Sequence, residues 1–220
     1  MSPLPEQMAD RWQGRRMLPP GQGQLYWHVL FHDHPEVRAT AREAHQRLAG
    51  LPGLHLVPHQ WLHLTTLIAG LKDEITDEQV NVMLVEADRL LSRIRPITVT
   101  LGRVLYHPEA LLLEARPADA LTPMREAVQA ATRIATGREG VLAHTPWTPH
   151  VTVAYSSAVQ PAAPVIAALG RRLPDCEVTV RGISLVLQDG PEYAWDWRPI
   201  AEVPLGTALP NTARCERTHR

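Results

Sequence analysis

The chain reads as an α+β protein, with two pseudo-symmetric lobes of antiparallel sheet and outer helices around a central groove. Three observations lead there. Its 220 residues, 45% of them hydrophobic, fit one domain or two small lobes sharing a core. Strand-like and helix-like patterns then follow in the order strand, helix, strand, helix, strand pair, helix, strand, helix, strand pair. After the first two elements, the remainder divides into two units of similar content, each a strand, a helix and a strand pair. No fixed short period repeats, so a solenoid is not expected.

Residues 1–22 are rich in Pro, Gly and Gln and are expected to form a flexible leader, with room for a short helix at Pro5–Met17 docked by Met8 and Trp12. The bilobal domain spans 23–205. Leu25–Phe31 is a strand of bulky residues, and Glu36–Leu48 suits a helix ending near Gly50 and Pro52. A strand at 61–69 follows. Thr76 with Gln79 three residues on makes a capping-box signature. The helix it opens runs to Ile94, with Val80, Leu84, Ala87, Leu91 and Ile94 on one face. Ile97–Leu105 and Leu111–Ala115 read as strands joined at His107-Pro108. A helix from Ala118 to Thr136 stops at Gly137. A strand at 147–155, a helix near 162–172, and strands Glu177–Leu187 and Trp195–Val203 around Gly190-Pro191 complete the domain. Residues 206–220 are expected to be a disordered tail.

Two segments carry the chemistry: Leu62-His63-Leu64-Thr65-Thr66-Leu67-Ile68-Ala69-Gly70 and Pro149-His150-Val151-Thr152-Val153-Ala154-Tyr155. Each is a strand-like run built around His-x-Thr. Residues i and i+2 of a strand share a face, roughly 6.6 Å apart. His63 therefore points with Thr65, and His150 with Thr152. Leu62, Leu64, Thr66 and Ile68 form the opposite face of the first run, and Val151, Val153 and Tyr155 that of the second. With 11 histidines in the chain, about one His-x-Ser/Thr is expected by chance. Among the 11, His63 and His150 alone carry Ser or Thr at +2, and both do so in strand-like surroundings. Two imidazoles and two hydroxyls suit acid–base chemistry at a phosphodiester. One imidazole near its ordinary pKa takes a proton from water and the other gives one to the leaving oxygen. The hydroxyls hold the non-bridging oxygens. Which histidine is base and which is acid stays open at this level.

These residues and the element order resemble the 2H phosphoesterase superfamily, in the group of bacterial 2′-5′ RNA ligases and RNA cyclic phosphodiesterases. The resemblance covers residues 24–205 in element order, and its specific parts are His63-Leu64-Thr65-Thr66-Leu67 with Gly70 and Pro149-His150-Val151-Thr152-Val153. It implies a bilobal fold with both motifs lining one groove, and metal-independent opening of 2′,3′-cyclic phosphates. His63 and His150 take the catalytic positions, Thr65 and Thr152 the phosphate-binding ones. The same site run backwards would join a cyclic end to a 5′-hydroxyl. Expected partners are RNA ends or a small nucleotide bearing a cyclic phosphate, with no cofactor. Two other readings remain: a 2H enzyme for another cyclic phosphate, such as an ADP-ribose cyclic phosphate or a cyclic oligonucleotide, and a non-catalytic nucleotide- or RNA-binding module.

Other features bound the answer. A net charge of −1 argues against a protein that coats nucleic acid through a large basic surface and leans toward a small substrate. Cys176 and Cys215 make no disulfide framework and lack metal-type companions. No signal core or long apolar run is present, so a cytoplasmic protein away from membranes is the default, and a monomer is expected. His55, His59 and His63 are spaced by four like metal ligands, but Pro52 and Pro58 interrupt any helix there. His32-Asp33-His34-Pro35 reads as a strand-to-helix connection. Trp61, at i−2 from His63, and Tyr26 with His28 on the first strand are candidate substrate contacts. Trp147 has no clear direction, Trp195 and Trp197 read as core, His144 stays open, and Tyr155 is expected to point away from the site.

Overall fold

The computed structural model describes residues 4–15, 18–19, 21–141, 143–194 and 197–206. Its elements are β1 (Gln7–Met8), β2 (Gly23–Leu30), α1 (Pro35–Leu48), β3 (Leu54–Leu56), β4 (His63–Leu71), α2 (Asp77–Leu91), β5 (Ile97–His107), β6 (Ala110–Glu114), α3 (Thr122–Thr136), β7 (His150–Ser156), β8 (Gln160–Pro161), α4 (Ala163–Leu169), β9 (Arg172–Val180), β10 (Gly182–Asp189) and β11 (Trp197–Pro204). Two antiparallel sheets dominate: one of four strands in the order β11-β10-β2-β4, the other of five in the order β3-β7-β6-β5-β9. Helices α2 and α3 pack on each other and on the four-stranded sheet, and α1 packs on the five-stranded one. The fold is the α+β arrangement of two sheets that the sequence predicts.

Local signals explain the helices. Thr76 caps α2 reciprocally: Gln79 N donates to the Thr76 hydroxyl at 3.2 Å and Thr76 N to Gln79 Oε1 at 2.9 Å. Val80, Met83, Ala87 and Leu91 form its buried face. The helix stops at Leu91 rather than Ile94, and Gly206 N reaches back to the carbonyls of Leu91 and Ile94. Gly137 ends α3 in the left-handed conformation, φ 74°, which suits a residue without Cβ.

The strand pairing departs from sequence order. The expected strand Glu177–Leu187 is two strands in two sheets: β9 borders the five-stranded sheet and β10 lies inside the four-stranded one. Each motif strand therefore joins the strand pair of the other sequence unit: β7 with β5 and β6, β4 with β10 and β11. Hydrophobic alternation marks which residues are buried but not which sheet buries them.

The leader also differs from expectation where it is described. Residues 7–8 form a strand on β8 instead of part of a helix. Met8 is fully buried, Ala9 N donates to Pro108 O and Arg11 N to Ser156 O, each at 2.8 Å. Backbone groups satisfied by neighbouring elements leave no reason to close helical turns. Trp12 docks as expected, against His55, Tyr155 and Tyr193. The tail 207–220 and Trp195 lie outside the described residues. Among the described residues no helix is long and apolar enough to cross a membrane.

Candidate active site

The two motif strands run side by side at the junction of the sheets, one from each. His63, Thr65, His150 and Thr152 line one groove of about 530 Å³. Both histidines are held alike. Nδ1 of His63 lies 2.7 Å from the carbonyl oxygen of Trp61, and Nδ1 of His150 lies 2.7 Å from that of Thr148. A carbonyl only accepts, so each Nδ1 carries the hydrogen, and in the neutral ring the basic nitrogen is Nε2. In both cases the carbonyl belongs to residue i−2, so the motif orients its own imidazole.

Burial pushes both imidazoles below their ordinary pKa, but their charged neighbours differ. The Trp61 carbonyl and the carboxylate of Glu192 favour a proton on His63, partly offsetting burial, while His150 disfavours one. Arg11 and His107 disfavour one on His150. Glu192 and Arg11 are themselves joined: Arg11 donates from Nε and Nη2 to the two carboxylate oxygens of Glu192 at 3.0 and 2.8 Å, and from Nη1 to Glu109 at 2.9 Å. Glu109 sits in the turn between β5 and β6, Glu192 between β10 and β11, so Arg11 ties the two sheets together beside the groove. Its guanidinium lies over the Tyr155 ring, 5.1 Å from the centroid.

Tyr155 faces the groove, contrary to the sequence expectation. The cause is a β-bulge. Leu111 pairs with Ala154 and Leu112 with Thr152, leaving Val153 as an extra residue that shifts the alternation by one. The first motif has the same device. Trp27 pairs with Leu67 and His28 with Thr65, leaving Thr66 extra, and Ile68 turns into the groove where strict alternation puts it on the opposite face. Thr65 to Ile68 and Thr152 to Tyr155 are thus matched steps.

The candidate substrate contacts separate. Tyr26 and His28 line the groove. The Tyr26 hydroxyl donates to Gln24 at 2.6 Å. His28 is 2% exposed and packs, tilted, behind His63. Trp61 is not among the lining residues. It closes the one-turn 3-10 helix His59–Trp61, so strand parity does not carry its side chain to the histidine's face. It packs against Trp197 and contributes its carbonyl. Trp197 is buried, as expected, but also borders the groove.

The metal-type spacings come apart. His55 packs on Trp12 and His59 stacks on His45. His32 pairs with Asp33 and His34 with Glu36. Among the described residues no three His, Cys, Asp or Glu side chains group to hold a metal ion.

A family model described as the 2′-5′ RNA ligase superfamily matches residues 34–192. The chain belongs to the 2′-5′ RNA ligase superfamily. This makes it an enzyme of the 2H phosphoesterase type. Solved structures share the superfamily fold. TT0787 of Thermus thermophilus is 22% identical with a TM-score of 0.64, the match covering 84% of this chain and 100% of that one. E. coli LigT complexed with 3′-AMP is 16% identical with a TM-score of 0.61, covering 84% and 98%. The MHV ns2 PDE domain is 13% identical with a TM-score of 0.52, covering 86% and 100%. No curated protein sequence matches the chain.

Beyond the superfamily match lie Arg11, Trp12 and Arg15, which line the groove from the N-terminal segment. Sequence reasoning missed Arg11, Glu109 and Glu192. The partners are 98 and 181 positions from Arg11, and no local pattern signals such a cluster. His107 was seen only as part of a strand connection, yet it borders both the groove and the cavity beyond it.

Proposed function

We propose that this protein is a phosphodiesterase that opens 2′,3′-cyclic phosphates at RNA ends or on small nucleotides by two-histidine acid–base catalysis. The observation that carries the reading is the matched pair of Nδ1–carbonyl bonds, which orients both imidazoles alike in one groove shared with Thr65 and Thr152. The electrostatics support one assignment of the roles. His150, whose proton Arg11 and His107 disfavour, is the base that takes a proton from water. His63, whose proton Glu192 favours, is the acid. Water adds to phosphorus, the bond to the 3′ oxygen breaks, and His63 protonates that oxygen, leaving a 2′-phosphate. Thr65 and Thr152 donate to the non-bridging oxygens as charge builds on them. Imidazoles and hydroxyls fill every proton and charge role, and no covalent intermediate is needed. With a 5′-hydroxyl in place of water, the same ring opening, with the 3′ oxygen again leaving, forms a 2′-5′ linkage.

The test is turnover of 2′,3′-cyclic nucleotides and cyclic-ended RNA in EDTA, with the product phosphate located by NMR. Full activity under chelation and a 2′-phosphate product are expected. Activity lost to EDTA and restored by zinc or manganese would overturn the mechanism. Binding of nucleotides without turnover would leave a binding module.

A further inference from the structure

The two motif strands belong to different sheets, and β4 and β7 are not paired neighbours in either. Their hydroxyls and imidazoles must still hold one alignment across the groove, because a misplacement of about 1 Å can cost about a hundredfold in rate. The segment leading from α3 into β7 supplies a tie. Val141 N donates to the Ile68 carbonyl at 2.8 Å, and the Trp147 indole N–H donates to the Thr65 carbonyl at 3.2 Å. Both acceptors lie on β4, an edge strand whose outer side this segment covers. They bracket the bulge at Thr66 that turns Ile68 into the groove.

The close approach is built into the chain. Gly140 has φ 90°, and a Cβ there would lie 2.7 Å from the Ile68 carbonyl oxygen, so the contact depends on a glycine. Trp147 is half-buried against the core, and Arg125 of α3 lies over its ring, 5.1 Å from the centroid. The same guanidinium donates to the Ala143 carbonyl at 3.1 Å. One residue beyond Trp147, the Thr148 carbonyl accepts from Nδ1 of His150. One further on, the Pro149 carbonyl accepts from Ala115 N at 2.9 Å. Three consecutive residues thus join the hydroxyl residue of the first motif, the imidazole of the second, and the chain leaving β6.

We propose that Trp147 is a positioning residue of the active site, holding the Thr65 hydroxyl and the His150 imidazole in register across the groove. It acts through the Thr65 carbonyl on one side and through its neighbour Thr148 on the other. The inference rests on the cyclic-phosphodiesterase reading for what the register serves, whereas the coupling itself is a property of the free protein.

Two measurements test it, both on Trp147→Phe, which keeps a ring beneath Arg125 and loses the N–H. The first follows the His63 and His150 imidazoles by NMR through a pH titration of the free protein. Burial disfavours a proton on His150 and the bond to the Thr148 carbonyl favours one. Loosening the segment at Trp147 weakens that bond. His150 should therefore titrate lower than in the wild type, the Thr65 methyl resonance should shift, and His63 should stay in place. General loosening would instead expose both imidazoles and raise both pKa values toward about 6.5. The second measurement is kinetic. Trp147→Phe should lower kcat on a 2′,3′-cyclic nucleotide by about tenfold or more and leave KM within about twofold. Most of that cost should vanish in a Thr65→Ala background, where the hydroxyl being positioned is gone, and all of it should remain with Thr152→Ala. Should Trp147→Phe fail to fold, Arg125→Met, which releases the same segment at Ala143 and leaves the indole in place, should give the same signals in weaker form. An unchanged kcat, costs that add fully in both backgrounds, or His63 and His150 rising together would overturn the proposal. A wild type that hydrolyses no cyclic phosphate would count against the catalytic reading alone, since the titration still decides the coupling.

Discussion

His28 packs against His63 with ring centroids 4.3 Å apart and planes tilted by 35°, and Trp197 meets both rings edge-on at 5.8 and 5.7 Å. The proposed acid thus stands on a buried aromatic floor. His28 itself is driven well below the ordinary imidazole pKa, by burial first and by His63 second, so it stays neutral while His63 cycles its proton. A variant that empties this floor should let His63 tilt away from the line of attack. His28→Ala should lower kcat by about 10–100-fold with little change in KM, because small misplacements of a proton donor are costly. His28→Phe, which restores the ring, should recover most of the loss. Steady-state kinetics of the two variants checks this, and equal activity in both would refute the floor.

The leaving group separates the two histidines. His63→Ala and His150→Ala should each lower kcat by roughly 10²–10⁴-fold on a cyclic nucleotide while leaving affinity within about tenfold. On an activated 4-nitrophenyl phosphodiester, which departs without a proton, the His63→Ala deficit should shrink strongly and the His150→Ala deficit should not. The opposite pattern would exchange the roles. Thr65→Ala and Thr152→Ala should each cost about 10–10³-fold.

The pH dependence follows from burial. The base works only when neutral, so activity falls on the acid side of the His150 pKa. The acid works only when protonated, so activity falls on the basic side of the His63 pKa. Both lie below 6.5. The profile of kcat/KM should therefore be bell-shaped with its maximum on the acid side of 6.5, and a plateau extending to pH 8 would contradict it. Stability moves the other way. His28, His63 and His150 bind protons more readily unfolded than folded, so stability is complete above about pH 6.5 and declines as pH falls toward the lowered native values. Thermal melts between pH 8 and 5 would show it.

Arg11 offers a test of the N-terminal segment. Arg11→Gln removes the cation shared by Glu109 and Glu192 and should lower stability by about 1–3 kcal/mol, a range set by hydrogen bonds to charged groups and kept modest because Glu192 is 34% exposed. It also removes a charge that opposes protonation of His150. The acid limb of the pH profile should therefore move to higher pH. A stability loss with an unmoved acid limb would leave Arg11 a purely structural tie.

The sequence by itself determined the α+β class, the helices and the identity of the motif residues, because these depend on short-range rules. Hydrophobic period, the Thr76/Gln79 cap and the stop at Gly137 are settled within a few residues, and His-x-Thr puts two side chains on one face of a strand whatever surrounds it. The tertiary structure decided the rest. One break at Arg181 sends β9 and β10 to different sheets and crosses the pairing of the two sequence units. Bulges at Thr66 and Val153 turn Ile68 and Tyr155 into the groove, and a bulge is a property of two paired strands, not visible in either one alone. The Arg11–Glu192 tie and the arginines lining the cavity beyond the groove, Arg103, Arg116, Arg125, Arg171 and Arg172, are scattered along the chain. Net charge counts those arginines but cannot locate them, since long-range pairing is chosen by which surfaces bury one another and leaves no periodic trace in the sequence.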